Sequence, residues 1–181
     1  MLTPLYKLRA TIDGCPYCFT GDKMAEKIMV LGVGNILYSD DGFGIRVVEK
    51  LESEQIFPDN VTVVDGGVLG VNLLGVISGA DRLIVVDTIL NHGKPGDIHR
   101  LEGDAIPNRI LGKNSMHQVD LLEALSLCRL MGSVPQTVII GVEPQDIETL
   151  NPELTPAIAR QVDIVAKMVI QELDKLALKT L

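Results

Sequence analysis

Tryptophan is absent from this 181-residue chain, and its other aromatic side chains are three tyrosines and three phenylalanines. Proteins that bind single-stranded nucleic acids interleave aromatic rings with basic groups, and the sequence shows no such platform. Basic residues are also outnumbered, because 16 Lys and Arg stand against 24 Asp and Glu, a formal charge of −8. This charge argues against non-specific binding to nucleic acid or to an anionic membrane.

Long hydrophobic runs are missing as well, although 46% of the residues are hydrophobic. The longest runs, such as LIVV and TVII, are as long as a strand and fall far short of the roughly 20 residues that span a bilayer. The N-terminal region has no apolar core of about 7 to 15 residues, as a secretory signal would have. We therefore expect a cytoplasmic protein with one folded domain.

Cysteine is too scarce for a disulfide framework, and Cys128 falls on an apolar helix face that predicts a core position. Cys15 and Cys18 form a CxxC in residues 1–26, where glycine and proline interrupt any periodicity. We interpret residues 1–26 as a flexible extension and residues 27–181 as the domain. The CxxC is half of a structural zinc site and lacks the helix start of a redox motif, so three explanations stay open: a disordered tail, metal delivery or docking, and an artefact of the start codon.

After residue 26, segments typical of strands and helices alternate along the chain. Continuous apolar strands are typical of a parallel sheet that is buried on both faces. The loop NHGKPG is too short for a crossover helix, so the strand after it should be an antiparallel edge. The pattern predicts an α/β fold, a doubly wound three-layer sandwich with a mostly parallel sheet between helices. The predicted strands are 28–33, 61–65, 83–87, 97–101 and 137–142, and the predicted helices are 42–55, 71–78, 117–131 and 155–178.

The segment GVGNILYSDDGFG, from Gly32 to Gly44, begins like a nucleotide-binding turn. The dinucleotide fingerprint requires a third glycine where this chain has Leu37. Asp40 and Asp41 also stand where a phosphate needs backbone amides and no negative charge. We interpret the segment as a turn that serves a cation.

Acidic residues follow the first predicted strand and end the second and third, and a histidine begins the third main helix. Ligands of open α/β sheets collect at this edge, beyond the carboxyl ends of the strands. Each residue also has a structural explanation, as a helix cap, a turn residue or a helix start. Together, however, like charges repel unless a proton, a cation or a base such as Arg46 relieves them. Aspartates and histidine suit zinc, nickel or manganese and give no case for copper(I) or an iron-sulfur cluster. The candidates are Asp40, Asp41, Asp65, Asp87 and His117.

The motifs GVGNILYSDDGFG, VDGG, LIVVDTI and SMHQ, in this order and at these spacings, resemble those of the nickel-iron hydrogenase maturation endopeptidases. The resemblance extends from about Ile28 to Leu178. It implies a twisted five-stranded sheet between helices and an enzyme that trims the C-terminal extension of a nickel-loaded hydrogenase large subunit. It also implies that Asp41, Asp87 and His117 contact the metal, which is nickel presented by the substrate or a surrogate such as zinc.

Asp65 would then orient the ligands or accept a proton from the attacking water, which makes Asp41, Asp65 and Asp87 the candidate catalytic residues. The sequence has no HExxH and no GxSxG, and its CxxC is remote from any motif histidine, so zincin, serine and cysteine protease mechanisms are unsupported. We expect a monomer whose partner is the large-subunit precursor, with no nucleic acid and no membrane insertion.

Two features depart from the family pattern. Asp41 stands where some members have Glu, and the first 23 residues precede the usual start, which would be near Met24. Two other functions stay open at this point. One is a nickel-binding chaperone on the same fold that leaves its client uncut, and the other is a nucleotide-binding module.

Overall fold

The computed structural model describes residues 25–68, 73–103, 106 and 116–179, with the side chains of 116–120 and 177–179 left out. Nearly all of the predicted extension, including the CxxC, therefore lies outside the described residues. A short 3₁₀ segment, Ser39–Gly42, precedes the first helix and is called the SDDG turn below. The strands are β1 Ile28–Val33, β2 Val61–Gly67, β3 Arg82–Thr88, β4 Ile98–Glu102 and β5 Gln136–Val142; the helices are α1 Phe43–Glu54, α2 Leu73–Ile77, α3 Met116–Leu130, α4 Pro156–Ala159 and α5 Val162–Lys179.

The five strands form one sheet in the order β2-β1-β3-β5-β4. The pairs β1–β2, β1–β3 and β3–β5 are parallel, whereas β4 is antiparallel to β5 and lies at the edge. The prediction of an antiparallel edge strand is confirmed, because only residues 89–97 separate β3 from β4. The chain passes from β1 outward to β2 and then back across β1 to β3. Strand order therefore reverses between β1 and β3.

Both faces of the sheet are covered, as the alternation of buried residues requires. On one face, Val30 and Ile84 belong to a core completed by α1 and α5. On the other, Leu31 and Val85 pack with residues of α2 and α3, including the fully buried Cys128. The three-layer sandwich and the core position of Cys128 are confirmed.

Helix α1 packs directly on the ends of two strands because Gly44 has no side chain. A Cβ at this position would overlap the carbonyl oxygens of Val33 and Val86. A Cβ at Gly32 would likewise crowd the backbone of Gly44 and the side chain of Val48. These glycines bring the SDDG turn, which precedes α1, to the carboxyl ends of β1 and β3.

Three boundaries differ from the sequence-based expectation. Strand β2 continues to Gly67 because the carbonyl of Gly67 accepts a hydrogen bond from Gly34 N at 3.1 Å. The last helix is divided, since Gln161 N bonds the Ile158 carbonyl three residues back at 2.9 Å and closes α4 with a tighter turn. Glu26, which we assigned to the extension, belongs to the folded unit because it pairs with Arg82 at 2.9 Å. In the part of the chain that is described, no helix is long and apolar enough to cross a membrane.

Candidate active site at the strand reversal

The SDDG turn holds Asp41 beside the carboxyl end of β1. Asn35 N donates to Asp41 Oδ2 at 3.1 Å and also approaches the Asp41 carbonyl oxygen at 3.2 Å. Gly34 permits this approach, because its φ of +139° is unfavourable for other residues and a Cβ there would overlap the Asp41 carbonyl oxygen. The Asp41 residue is partly exposed and its carboxylate is fixed in place.

Asp87 lies in β3, the strand next to β1, and is 3% exposed. Thr88 N donates to Asp87 Oδ1 at 2.7 Å. Because Leu83 and Val85 face the α2 and α3 layer, strand alternation directs Asp87 to the same side. Asp41 and Asp87 thus stand on either side of the point where strand order reverses, which is the usual ligand position in open α/β sheets.

Asp40 lies at the same edge, as predicted, but its buried side chain does not join this pair. It is 0% exposed, and its Oδ2 accepts hydrogen bonds from Gln145 N and Asp146 N, each at 2.9 Å, and from Thr155 Oγ1 at 3.0 Å. Its Oδ1 accepts a fourth bond from Thr155 N at 2.7 Å. Asp40 therefore fastens the SDDG turn to the segment after β5. It is not a helix cap either, since α1 starts after Gly42 without a side-chain cap.

Asp65 is exposed and lies in β2, which pairs with the other side of β1. Its Oδ1 accepts a hydrogen bond from Gly67 N at 2.9 Å, so it does support the DGG turn as the structural explanation had it. Asp65 is in register with Gly32, and Gly32 is in register with Val86 rather than Asp87. Alternation therefore sends Asp65 and Asp87 to opposite faces of the sheet.

His117 is the second residue of α3, and its side chain lies outside the described residues. Residues 131–135 connect the end of α3 to the start of β5, so the helix runs antiparallel to that strand. At about 1.5 Å per residue, the helix spans roughly 22 Å, nearly the length of β5 at about 3.3 Å per residue. The backbone of His117 is therefore placed at the same edge of the sheet as Asp87.

Among the described side chains, no three of His, Cys, Asp and Glu lie close enough to hold a metal ion. The predicted set of three ligands includes His117, so it stays a prediction. Arg46, the base considered for partial neutralisation of Asp41, donates to Glu49 Oε2 at 2.9 Å and to the Pro152 carbonyl at 3.1 Å.

The turn after β1 is poorly suited to a phosphate. A phosphate-binding turn presents free backbone amides to its ligand. Here seven of the eight amides in residues 34–41 donate hydrogen bonds within the protein, which leaves at most that of Ile36 for a ligand. With its amides already bonded within the protein, the turn gives no support for a nucleotide-binding module.

Glu143 was not among the predicted site residues, although it directly follows β5 as acids stand at the ends of other strands. It is 4% exposed, and both carboxylate oxygens accept from Asn91 N, at 2.7 and 2.9 Å. His99 Nε2 on β4 lies 3.4 Å from Glu143 Oε2. Glu143 therefore braces the loop that leaves β3 through the Asn91 amide. The rule that selected Asp87, a carboxylate at a strand end, would have selected Glu143 too.

A cavity of about 690 Å³ opens at the opposite end of the sheet, between the starts of β3 and β5 and the later turns of α3. Because it lies at that opposite end, the cavity is remote from Asp41 and Asp87. Its walls include Gly103 and Ile106, whose neighbours 104–105 and 107–115 lie outside the described residues, and we assign it no ligand.

Known proteins resemble this chain in sequence and in structure. The HycI family, described as hydrogenase maturation protease, matches residues 45–172. The hydrogenase expression/formation protein HupD of Bradyrhizobium diazoefficiens is 42% identical over 140 residues, which cover 76% of this chain and 72% of that protein. The hydrogenase 2 maturation protease of Escherichia coli K12 is 37% identical over 149 residues, covering 81% and 90%. Among solved structures, the hydrogenase maturating endopeptidase HybD from E. coli superposes with a TM-score of 0.78 at 36% identity, over 82% of this chain and 93% of that one.

Proposed function

This chain belongs to the hydrogenase maturation protease family, and we propose that it is the endopeptidase that removes the C-terminal extension of a nickel-iron hydrogenase large subunit after nickel has been inserted. Membership of the family makes the protein a peptidase. The observation that carries the proposed site is the position of Asp41 and Asp87 on either side of the strand reversal.

Nickel enters this proposal as part of the substrate. Asp41, Asp87 and His117 would contact the nickel that the precursor already holds, or zinc standing in for it. Carboxylate oxygens and an imidazole nitrogen are suitable ligands for either ion. Asp87 is buried beside the strand reversal, where a carboxylate is costly to desolvate and a cation offsets that cost. Recognition of the metal would restrict cutting to precursors that have been loaded.

Hydrolysis needs a group that handles the proton of the attacking water. Asp65, Asp41 and Asp87 stand at the ends of three neighbouring strands, in the order β2-β1-β3. Strands lie about 4.8 Å apart, so the ends of β2 and β3, which flank β1, are separated by roughly 10 Å. We assign Asp65 the orientation of the metal-contacting groups or the acceptance of that proton, because it is exposed and its Oδ1 is held by Gly67 N.

The test is a time course on matched nickel-loaded and nickel-free precursors, with intact-mass detection of the product. We expect cleavage of the loaded form alone, no cleavage of casein, and loss of processing in Asp41→Asn, Asp87→Asn and His117→Ala. Each variant should unfold at nearly the parental temperature, because none opens a core cavity. Asp59→Asn, at an exposed position in the turn before β2, is the matched control.

The outcomes separate the parts of this proposal. Equal cleavage of both precursors would show that the protease does not recognise the nickel. Binding of the loaded precursor without any change in its mass would indicate the non-catalytic chaperone. Parental activity in one of the three variants would remove that residue from the site. The monomeric state and the cytoplasmic location stay predictions.

A further inference from the structure

Large hydrophobic side chains are exposed along the edge that carries Asp41. They occupy loops that leave the carboxyl ends of β1, β2 and β5. Isolated exposed apolar residues are common, whereas neighbouring ones mark interaction sites. We call this set the apolar strip: Ile36, Leu37, Tyr38, Val68 and Leu150, whose exposed fractions are 42%, 55%, 40%, 57% and 72%.

Backbone hydrogen bonds join the three loops into one surface. Gly34 N donates to the Gly67 carbonyl at 3.1 Å, which links the loops after β1 and β2. Asn151 N donates to the Leu37 carbonyl at 2.9 Å, and Ser39 N donates to the Asn151 carbonyl at 2.7 Å, which link the loops after β1 and β5. The apolar strip is thus held in one arrangement before any partner binds, and a preorganised surface loses little entropy on binding.

The apolar strip also adjoins the proposed site. Asp41 N donates to the Tyr38 carbonyl at 2.9 Å, and Asn35, which contacts the Asp41 carboxylate, directly precedes Ile36. Part of the apolar strip and Asp41 therefore belong to the same turn, and a polypeptide bound to the strip lies next to Asp41.

The charged residues of these loops all carry the same sign. Residues 34–42 and 143–155 contain acidic side chains, and none of residues 34–42, 67–68 and 143–155 is Lys, Arg or His. Arg46, which donates to the Pro152 carbonyl, is itself paired with Glu49. Two of the acids, Glu148 and Glu153, are exposed beside Leu150. Interfaces match charge of opposite sign, so a partner with basic residues next to apolar ones fits this surface.

We propose that the apolar strip binds the segment of the precursor that flanks the cut, and that this segment has apolar side chains next to Lys or Arg. The inference rests on the proposed function, since the precursor is the occupant. The strip supplies affinity for the polypeptide, and the metal-contacting residues supply the check on nickel.

The experiment compares steady-state processing of nickel-loaded precursor by the double variant Leu37→Ser/Leu150→Ser with processing by the parental protein. The control is Ile56→Ser/Ile164→Ser, which alters two exposed isoleucines outside the apolar strip, with exposed fractions of 98% and 47%. We expect the first variant to raise KM about tenfold with kcat nearly unchanged, as loss of uniform binding does. The control should stay within about twofold of the parental KM.

A second arm tests the acidic border. Glu148→Gln/Glu153→Gln should raise KM several-fold at low salt and much less at high salt, because exposed charges are screened over about 10 Å at 0.1 M salt. Thermal unfolding of all variants identifies any that fail to fold.

Three results have distinct meanings. Parental KM in a folded Leu37→Ser/Leu150→Ser variant would overturn the inference. A concentration-dependent dimer of the parental protein that this variant abolishes, seen by sedimentation, would also overturn it by making the strip a contact between two copies. Failure of the parental protein to cut any precursor would instead count against the proposed function.

Discussion

Replacing Asp40 by asparagine exchanges one oxygen for an amide group in a fully buried side chain. Asp40 accepts four hydrogen bonds, three of them at Oδ2, and all four donors point at the carboxylate. An asparagine oxygen at the Oδ2 position keeps three bonds but turns its NH₂ toward Thr155 N, so two donors oppose each other. The reverse orientation loses three bonds at once. No orientation of the amide satisfies all of the donors.

The expected loss is about 3 kcal/mol of unfolding free energy. Hydrogen bonds to a charged acceptor contribute roughly 1.5–3 kcal/mol each and those to a neutral acceptor roughly 0.5–1.5 kcal/mol, so three weakened bonds and one orphaned amide cost about 5 kcal/mol. Removing a buried charge returns part of this, on the order of 2 kcal/mol, because the charge no longer has to be desolvated.

Urea unfolding at neutral pH measures the change in unfolding free energy. The control, Asp59→Asn, should stay within about 0.5 kcal/mol of the parental protein. Processing of the loaded precursor should also fall in folded Asp40→Asn, because the SDDG turn that carries Asp41 loses the bond from Thr155 N and is held less firmly to the segment after β5. Surface substitutions change the unfolding free energy by about 0.5 kcal/mol or less. If Asp40→Asn changes it no more than that, and the variant also cuts at the parental rate, the role of Asp40 is refuted.

Other predictions concern parts of the molecule away from the site. The hydrogen bond from Arg100 lowers the pKa of Glu172 below its ordinary value of 4.5, so the pair stabilises the fold above that pH and loses its effect as pH falls through the lowered pKa. Glu172→Gln should therefore reduce the melting temperature at pH 7, and the reduction should shrink as pH falls below 4.5, in melts recorded at successively lower pH. Deleting residues 1–23 should leave a folded and active protein; retained folding without activity, reproduced by serine at both positions of the CxxC, would assign those thiols a role. In the shortened protein Cys128 is the remaining cysteine, and burial raises the pKa of its thiol, so alkylation should follow unfolding; rapid labelling of the native protein would contradict its core position.

Much of the fold could be predicted because local pattern and burial agree. Strand β1 was predicted with the observed bounds, Ile28–Val33, since it is the apolar run before the glycine turn and helix layers bury both of its faces. The antiparallel edge followed from the length of a single loop. The break before Val162 could not be predicted, because apolar residues keep their helical spacing through it and only the backbone bond at Gln161 reveals it.

The two adjacent aspartates show where the sequence is silent. The pattern SDDG gives no sign that Asp40 turns inward and Asp41 does not. The partners that decide this, Gln145, Asp146 and Thr155, are 105, 106 and 115 residues away along the chain. Asp41 and Asp87 were placed correctly at one edge because that requires only strand order. Contacts between distant loops determine side-chain direction, and no local pattern records them.

The parallel sheet also determines when the protein becomes competent to cut. Ile28 pairs with Arg82 and Arg82 with Gln136, separations of 82 − 28 = 54 and 136 − 82 = 54 residues. Such distant partners meet only after long loops have closed, so folding is slow compared with a helical protein of this size. Asp41 and Asp87 are brought together only by pairing of β1 with β3. A newly made chain therefore passes through a period in which it contains every residue of the site and has no site.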